Sequence, residues 1–247
     1  YKQNQKLLTA FIQKLPGEVK EDGCIHGRFN QTGTATGRFS SSDPNLQQLP
    51  SRAGDIRGMF CAREGNIFIG SDYSQIEVRV TASFSKDPTM LHAYETGEDL
   101  YSKMASEIHG LPYEACMEFN PITGELQKEG KKLRSNTKSI LLGLLYGRQA
   151  KSIGEQINVP EKEAQELVDS FFKSFPKIKE LDKITKLGAS QNGYITTTCG
   201  RKRRLPDIKS RDRWSKARAE RQCLNAMIQG SSADCMKLAM ISIHNNK

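Results

Sequence analysis

No two of the six cysteines, at positions 24, 61, 116, 199, 223 and 235, fall in a C-x-x-C spacing. That argues against a zinc site and a disulfide framework, and leaves free thiols of a reducing compartment as the plain expectation. Long apolar runs are missing too. The longest, around Ile140 to Leu145, is far short of the roughly 20 residues that span a bilayer, so no membrane-spanning helix is expected. The chain opens without a secretory signal and has no internal repeat or low-complexity tract. Negative charge is the scarcer sign, with 28 Asp and Glu against 37 Lys and Arg, a formal +9. A chain of 247 residues, 36% apolar and 26% charged, reads as globular rather than disordered, with a polyanion as its first-guess partner. It begins at Tyr1 rather than Met and stops at Lys247 within a helical pattern, so a fragment is expected.

The positive charge is concentrated. Residues Arg201 to Arg221 hold ten basic side chains against Asp207, Asp212 and Glu220, a net +7. A second cluster, Lys128, Lys131, Lys132, Arg134 and Lys138, leads into the apolar run. One such cluster is ordinarily a solvated face; two in a basic chain favour phosphate binding.

Residues Gln31 to Pro50, rich in Gly, Ser, Thr and Pro, read as turns and irregular backbone. Ile67, Phe68 and Ile69 read as a buried strand with Asp72 at its far end. A helix is expected next, from Ile76, Val80 and Phe84 spaced four apart. Residues 113–130, with one proline, two glycines and mixed polarity, read as a loop or insertion between helices. Val159, Pro160 and Glu161 suit a helix start, and Leu167, Phe171 and Phe175 stripe that helix until Pro176 stops it. Gly193 to Thr198 reads as a strand or hairpin edge. Ala217 to Ile243 reads as a long helix interrupted at Gly230.

Three constellations carry chemistry. A carboxylate at a strand end, Asp72, is a natural hard-oxygen ligand for Mg²⁺, although a helix cap is the commoner role for an Asp so placed. Arg134, Lys138, Leu142 and Tyr146, each four apart, lie along one helix face about 18 Å long. Two cations, an apolar platform and a hydroxylated aromatic suit a nucleotide, with phosphates at one end and base at the other. An ordinary amphipathic helix explains the spacing equally well. Asn225 and Gln229, one turn apart, could read base edges in a minor groove, or be polar residues on a wet helix face.

The segments TATGRFSSSDPNLQQLP, SDYSQIEVR, R-x-x-x-K-x-x-x-L-G-x-x-Y-G, CGRKRRLPD and LNAMIQGSSAD stand in the order seen in family A DNA polymerases, which this sequence resembles from about Arg28 onward. The resemblance implies an α+β right-hand fold, mostly helical, with a small antiparallel sheet in the palm. It places palm at 1–84 with the end of a thumb-side segment at its start, fingers at 85–205, and a palm return at 206–247. It implies template-directed DNA synthesis by two-Mg²⁺ phosphoryl transfer, with primer-template DNA and deoxynucleoside triphosphates as partners, no membrane, and a cytoplasmic setting, that of a bacterial host if phage-encoded.

Residue by residue, Asp72 matches the first metal-binding carboxylate, and Tyr73 lends its backbone carbonyl. Gln75 and Glu77 match the pair beside the incoming sugar, with Glu77 as the steric gate against a 2′-hydroxyl. Arg134 and Lys138 match the triphosphate cations, Lys138 also as proton donor to the leaving pyrophosphate. Leu142 faces the sugar, and Tyr146 guards the template base position. Arg28, Asn45, Arg79, Asn225 and Gln229 fall where the family touches primer and template.

Two departures from the family pattern stand out. Leu142 replaces a common Phe or Tyr, and with the 113–130 insertion points to a phage-type member. No H-D-E triplet, which carries the second metal-binding Asp, occurs in the 247 residues. This leaves one carboxylate for two metals, so the chain alone is expected to be inactive or nearly so. The rival expectation is a non-catalytic DNA-binding half of a split or degenerate polymerase that needs a second polypeptide. A single-subunit RNA polymerase is opposed by the Glu77 gate.

Overall fold

A computed structural model describes residues 2–50 and 56–246; Tyr1 and Lys247 lie outside them. The chain divides into two compact units, residues 1–74 and 75–247.

The first unit is thin in regular structure. It holds α1 (Lys2–Leu7) and a two-stranded antiparallel ribbon, β1 (Arg28–Asn30) with β2 (Ser40–Ser42), in which Phe29 faces Ser41. The Gly- and Ser-rich stretch is mostly turns, as its composition implied. The strand expected at Ile67 to Ile69 does not form: these residues are irregular and 81%, 71% and 87% exposed. Three apolar residues suffice for a strand only where a neighbouring strand takes their backbone hydrogen bonds, and neither ribbon among the described residues includes them.

The second unit is a helical assembly: α2 (Ile76–Ser85), α3 (Pro88–Thr96), α4 (Leu100–His109), α5 (Lys128–Leu145), α6 (Ala150–Ile157), α7 (Glu161–Ser174), α8 (Pro176–Asn192) and α9 (Arg213–Asn245). A second antiparallel ribbon, β3 (Tyr194–Thr196) with β4 (Lys202–Arg204), sits between α8 and α9 in sequence and realises the expected hairpin edge. Its core runs from Val78 through Met104, Leu141, Phe171, Phe175 and Ile178 to Ile228.

Local sequence explains the helix starts. Asp87 and Asp99 cap α3 and α4, accepting hydrogen bonds from the amides of Met90 and Ser102, and Asp212 does the same for α9 through Ser215. Pro176 ends α7 as expected, but it also opens α8 at that helix's first position, where its missing N–H costs nothing.

Two expectations need correction. Helix α9 runs through Gly230 without a break; Gly230 is buried among Ile228, Ser231 and Ser232, and packing there outweighs the roughly 1 kcal/mol that glycine costs a helix. Residues 113–130 are not all loop, because a turn of helix at Tyr113–Cys116 and an antiparallel bridge between Phe119 and Leu126 lead into α5, which begins at Lys128. The helix expected from Ile76, Val80 and Phe84 forms as α2; its deeply buried positions are Val78, Thr81, Ala82 and Ser85, with Val80 and Phe84 at the margin of the core. All six cysteines are free thiols.

Candidate active site

The site residues divide between the units. Arg28, Asn45, Asp72 and Tyr73 belong to the first, and each is exposed. Arg28 opens β1, while the Asn45 side chain accepts from the Gln47 amide and caps a short 3-10 turn. Asp72 is not a helix cap, since α2 is preceded by Gln75.

Asp72 and the Tyr73 carbonyl are hard oxygen donors, the kind Mg²⁺ prefers, so the donor chemistry fits that ion in type. Among the described residues no group of three or more His, Cys, Asp or Glu side chains is assembled to hold a metal.

The second unit brings the remaining residues onto α2, α5 and α9. Gln75 adopts a left-handed backbone (φ 55°), an unusual state for a residue with a side chain, and the Tyr94 hydroxyl donates to its Oε1 at 3.2 Å. The Arg79 guanidinium lies over the same Tyr94 ring, 4.3 Å from its centroid, and burial pushes the Tyr94 hydroxyl up from its ordinary pKa.

At one end of α5, the Tyr146 hydroxyl donates to Glu77 Oε2 at 2.7 Å, joining two candidate site residues across 69 positions of sequence. Leu142 is half-buried and packs against the core, while Leu141 and Leu145 are fully inside. Gly147 follows with φ 72°; a Cβ there would collide with the Arg221 carbonyl oxygen, so glycine lets α9 approach the end of α5.

At the other end stand the two cations. Arg134 donates from Nε and Nη2 to the two oxygens of Asp99, at 2.9 and 2.8 Å, a bidentate pair. Its guanidinium carbon is 5.5 Å from the Tyr101 ring centroid, and the Lys138 Nζ is 5.7 Å from the same centroid. Burial pushes the Asp99 carboxyl up, but the Arg134 fork and the Ser102 amide outweigh it and hold the group below its ordinary value. Burial pushes Tyr101 up to about 12. Asp99, Tyr101 and Tyr94 touch the candidate residues and were not singled out from the sequence. The cap signal of Asp99 before Leu100 was visible, but nothing in spacing links it to Arg134, 35 residues on.

On α9 the Asn225 amide donates to the Leu145 carbonyl at 3.3 Å, tying α9 to α5, and Gln229 is half-buried. The basic stretch before them is anchored by Arg201, which donates from Nε to Asp234 at 2.9 Å and from Nη2 to the Gly230 carbonyl at 3.0 Å. Thr197 takes the other Asp234 oxygen, so this buried carboxylate is committed to holding the hairpin on α9.

The profile of DNA polymerase family A matches residues 1–247. The chain belongs to that family. Thermostable DNA polymerase I of Thermus aquaticus is 38% identical over 247 residues, covering 98% of this chain and 28% of its own length. DNA polymerase I of Mycobacterium bovis is 41% identical over 240 residues, covering 96% of this chain and 25% of its own. Among solved structures, the POL domain of Pol1 from M. smegmatis, in complex with DNA primer-template and dNTP, superposes with a TM-score of 0.83 at 34% identity, over 99% of this chain and 41% of that one. This family A chain therefore has the polymerase-domain fold, mostly helical with small antiparallel ribbons, and spans about a quarter of the length of these curated relatives. Among the described residues no helix is long and apolar enough to cross a membrane.

Proposed function

We propose that this chain is the palm-and-fingers part of a template-directed DNA polymerase, adding deoxynucleotides to a primer 3′-hydroxyl and releasing pyrophosphate. The observation that carries the reading is the α5 face. Two cations, Arg134 and Lys138, stand towards one end of it and Tyr146, hydrogen-bonded to Glu77, at the other, an order that suits a triphosphate and a base, in a chain whose solved relative holds primer-template and dNTP. On this reading 1–84 is palm, 85–205 fingers and 206–247 palm return.

Each side chain then has a physical task. Arg134 offers a planar fork and Lys138 a mobile ammonium to the triphosphate, and Lys138 can pass a proton to the departing pyrophosphate. Glu77 and Gln75 border the sugar, with Leu142 beside them and Tyr146 at the template base. Primer and template would lie against Arg28, Asn45, Arg79, Asn225 and Gln229, with the basic 201–221 stretch neutralising phosphates. Asp72 and the Tyr73 carbonyl would hold Mg²⁺, which, when bound, supplies electrostatic stabilisation of the charge developing on the transferring phosphoryl group.

A second reading rests on the sequence. On it these 247 residues are a non-catalytic DNA-binding half of a split or degenerate polymerase, which acts together with a partner polypeptide. Primer extension separates the two. Purified chain should bind primer-template yet extend it negligibly, and a polypeptide carrying the H-D-E segment should restore synthesis that Asp72→Ala abolishes. Extension by the 247 residues alone would refute the need for that segment, while failure to bind DNA would refute the polymerase reading itself.

A further inference from the structure

The side chain assigned to the triphosphate is already occupied by a carboxylate of this chain. Arg134 spends its Nε–Nη2 edge on Asp99, at 2.9 and 2.8 Å. A second carboxylate, Glu118, stands 4.0 Å from its Nη1. Glu118 is itself drawn off by Lys131 at 2.8 Å, so Asp99 is the dominant partner. The pair is partly shielded, each side chain being a little over one quarter exposed, and the buried Tyr101 ring closes one side of it. Lys138, one turn along α5, is exposed and meets the face of the same ring.

Asp99 is held in place independently of Arg134. Its side chain caps α4 through the amide and hydroxyl of Ser102, at 2.9 and 3.0 Å, and its own amide donates to the Tyr113 hydroxyl at 2.9 Å. The carboxylate is therefore a fixed fitting at the start of α4, whereas Arg134 has a long, flexible stem. A bidentate guanidinium edge accepts a carboxylate or two phosphate oxygens, but not both at once.

We propose that Asp99 is a latch on Arg134, which the triphosphate of an incoming nucleotide must displace. The phosphate chain meets the exposed Lys138 first and then exchanges with Asp99 for the Arg134 fork. Until that exchange Arg134 is charge-neutralised and does not attract stray anions. Asp99 is thus a positioning residue that sets how much polyphosphate charge is needed to engage the second cation. The inference rests on the assignment of Arg134 to the triphosphate, and the test keeps the two apart.

The experiment is direct binding of dGTP, and of inorganic tripolyphosphate as a base-free probe, to the 247-residue chain by calorimetry. Three variants are compared with it: Asp99→Asn, Arg134→Ala and the double variant. Asparagine caps a helix as well as aspartate does, so Asp99→Asn removes the charge and keeps the start of α4. Asp99→Ser serves as a second cap-retaining variant should the first fold poorly.

Because the pair is partly solvent-screened, removing the latch should tighten both ligands by about three- to tenfold rather than by orders of magnitude. Arg134→Ala should weaken them. In the double variant the gain should vanish, which a general structural effect of Asp99 would not produce. If Asp99→Asn leaves binding unchanged or weaker while Arg134→Ala weakens it, the latch is refuted and the triphosphate assignment stands. If Arg134→Ala changes nothing, the assignment fails and the latch fails with it.

Discussion

Residues 66–74 and helix α5 both join an apolar run to site residues, yet they end in opposite states. In α5, Ile140, Leu141 and Leu145 are inside the core, and the same helix carries Arg134 and Lys138, with Tyr146 capping its C-terminal end. In the other stretch Ile67, Phe68 and Ile69 are among the most exposed apolar side chains described, and Asp72 beside them is exposed as well. A helix satisfies its backbone within itself, so its apolar stripe needs only a surface to pack on. An extended segment needs a partner for its backbone as well as for its side chains, and without one a strand-like composition leaves a loop. An orienting site can be built on the first kind of segment from local sequence; on the second it waits for whatever pairs with it.

The sharpest way to break this contrast is Leu141→Ala. Leu141 is fully buried between the α5 face and the core, and the truncation should cost about 2–5 kcal/mol, read as a lowered denaturation midpoint. A loss below about 1 kcal/mol would mean that α5 is no better packed than the 66–74 stretch.

Next comes Lys138→Ala, measured in an assembly complemented with the H-D-E segment. On the proposed assignment its ammonium would meet phosphate charge that develops during transfer, so turnover should fall by about a hundredfold or more while DNA affinity changes little. Lost DNA affinity with unchanged turnover would remove Lys138 from the triphosphate and make the α5 face a duplex-binding surface.

The smallest effect is expected from Ile69→Ser. At 87% exposure the side chain has little burial to lose, and stability should move by no more than about 0.5 kcal/mol in the purified chain. A cost comparable to that of Leu141→Ala would show that Ile69 is covered in solution and that the contrast between the two stretches does not hold there.

Much of the architecture was legible because it is local. The Phe171 and Phe175 stripe, the proline at the α7–α8 junction and the β-branched hairpin edge at 194–196 all depend on residues a few positions apart. So does the alignment of Arg134, Lys138, Leu142 and Tyr146, which helix geometry alone places on one side. The readings that failed were those in which a local signal met a distant partner. Gly230 is a helix breaker by propensity, yet α9 passes through it, because buried packing and the Arg201 bond to its carbonyl favour the helix there. Asn225 keeps its place as a candidate amide; what its spacing could not show is the bond from its side chain to the Leu145 carbonyl, which joins α9 to α5.

By itself the sequence determined the family, the helical periodicity, the basic character and the set of residue types at the site, since each is written in spacing and composition. Only the tertiary structure decided what those residues touch. It gave Arg134 to Asp99, Tyr146 to Glu77, and Asp234 to Arg201 and Thr197. The physical reason is range. A cation's charge and a helix's period are properties of the chain read in order, whereas a hydrogen-bond partner 33 to 69 residues away is set by how helices pack. That packing answers to the summed burial of the core rather than to any motif.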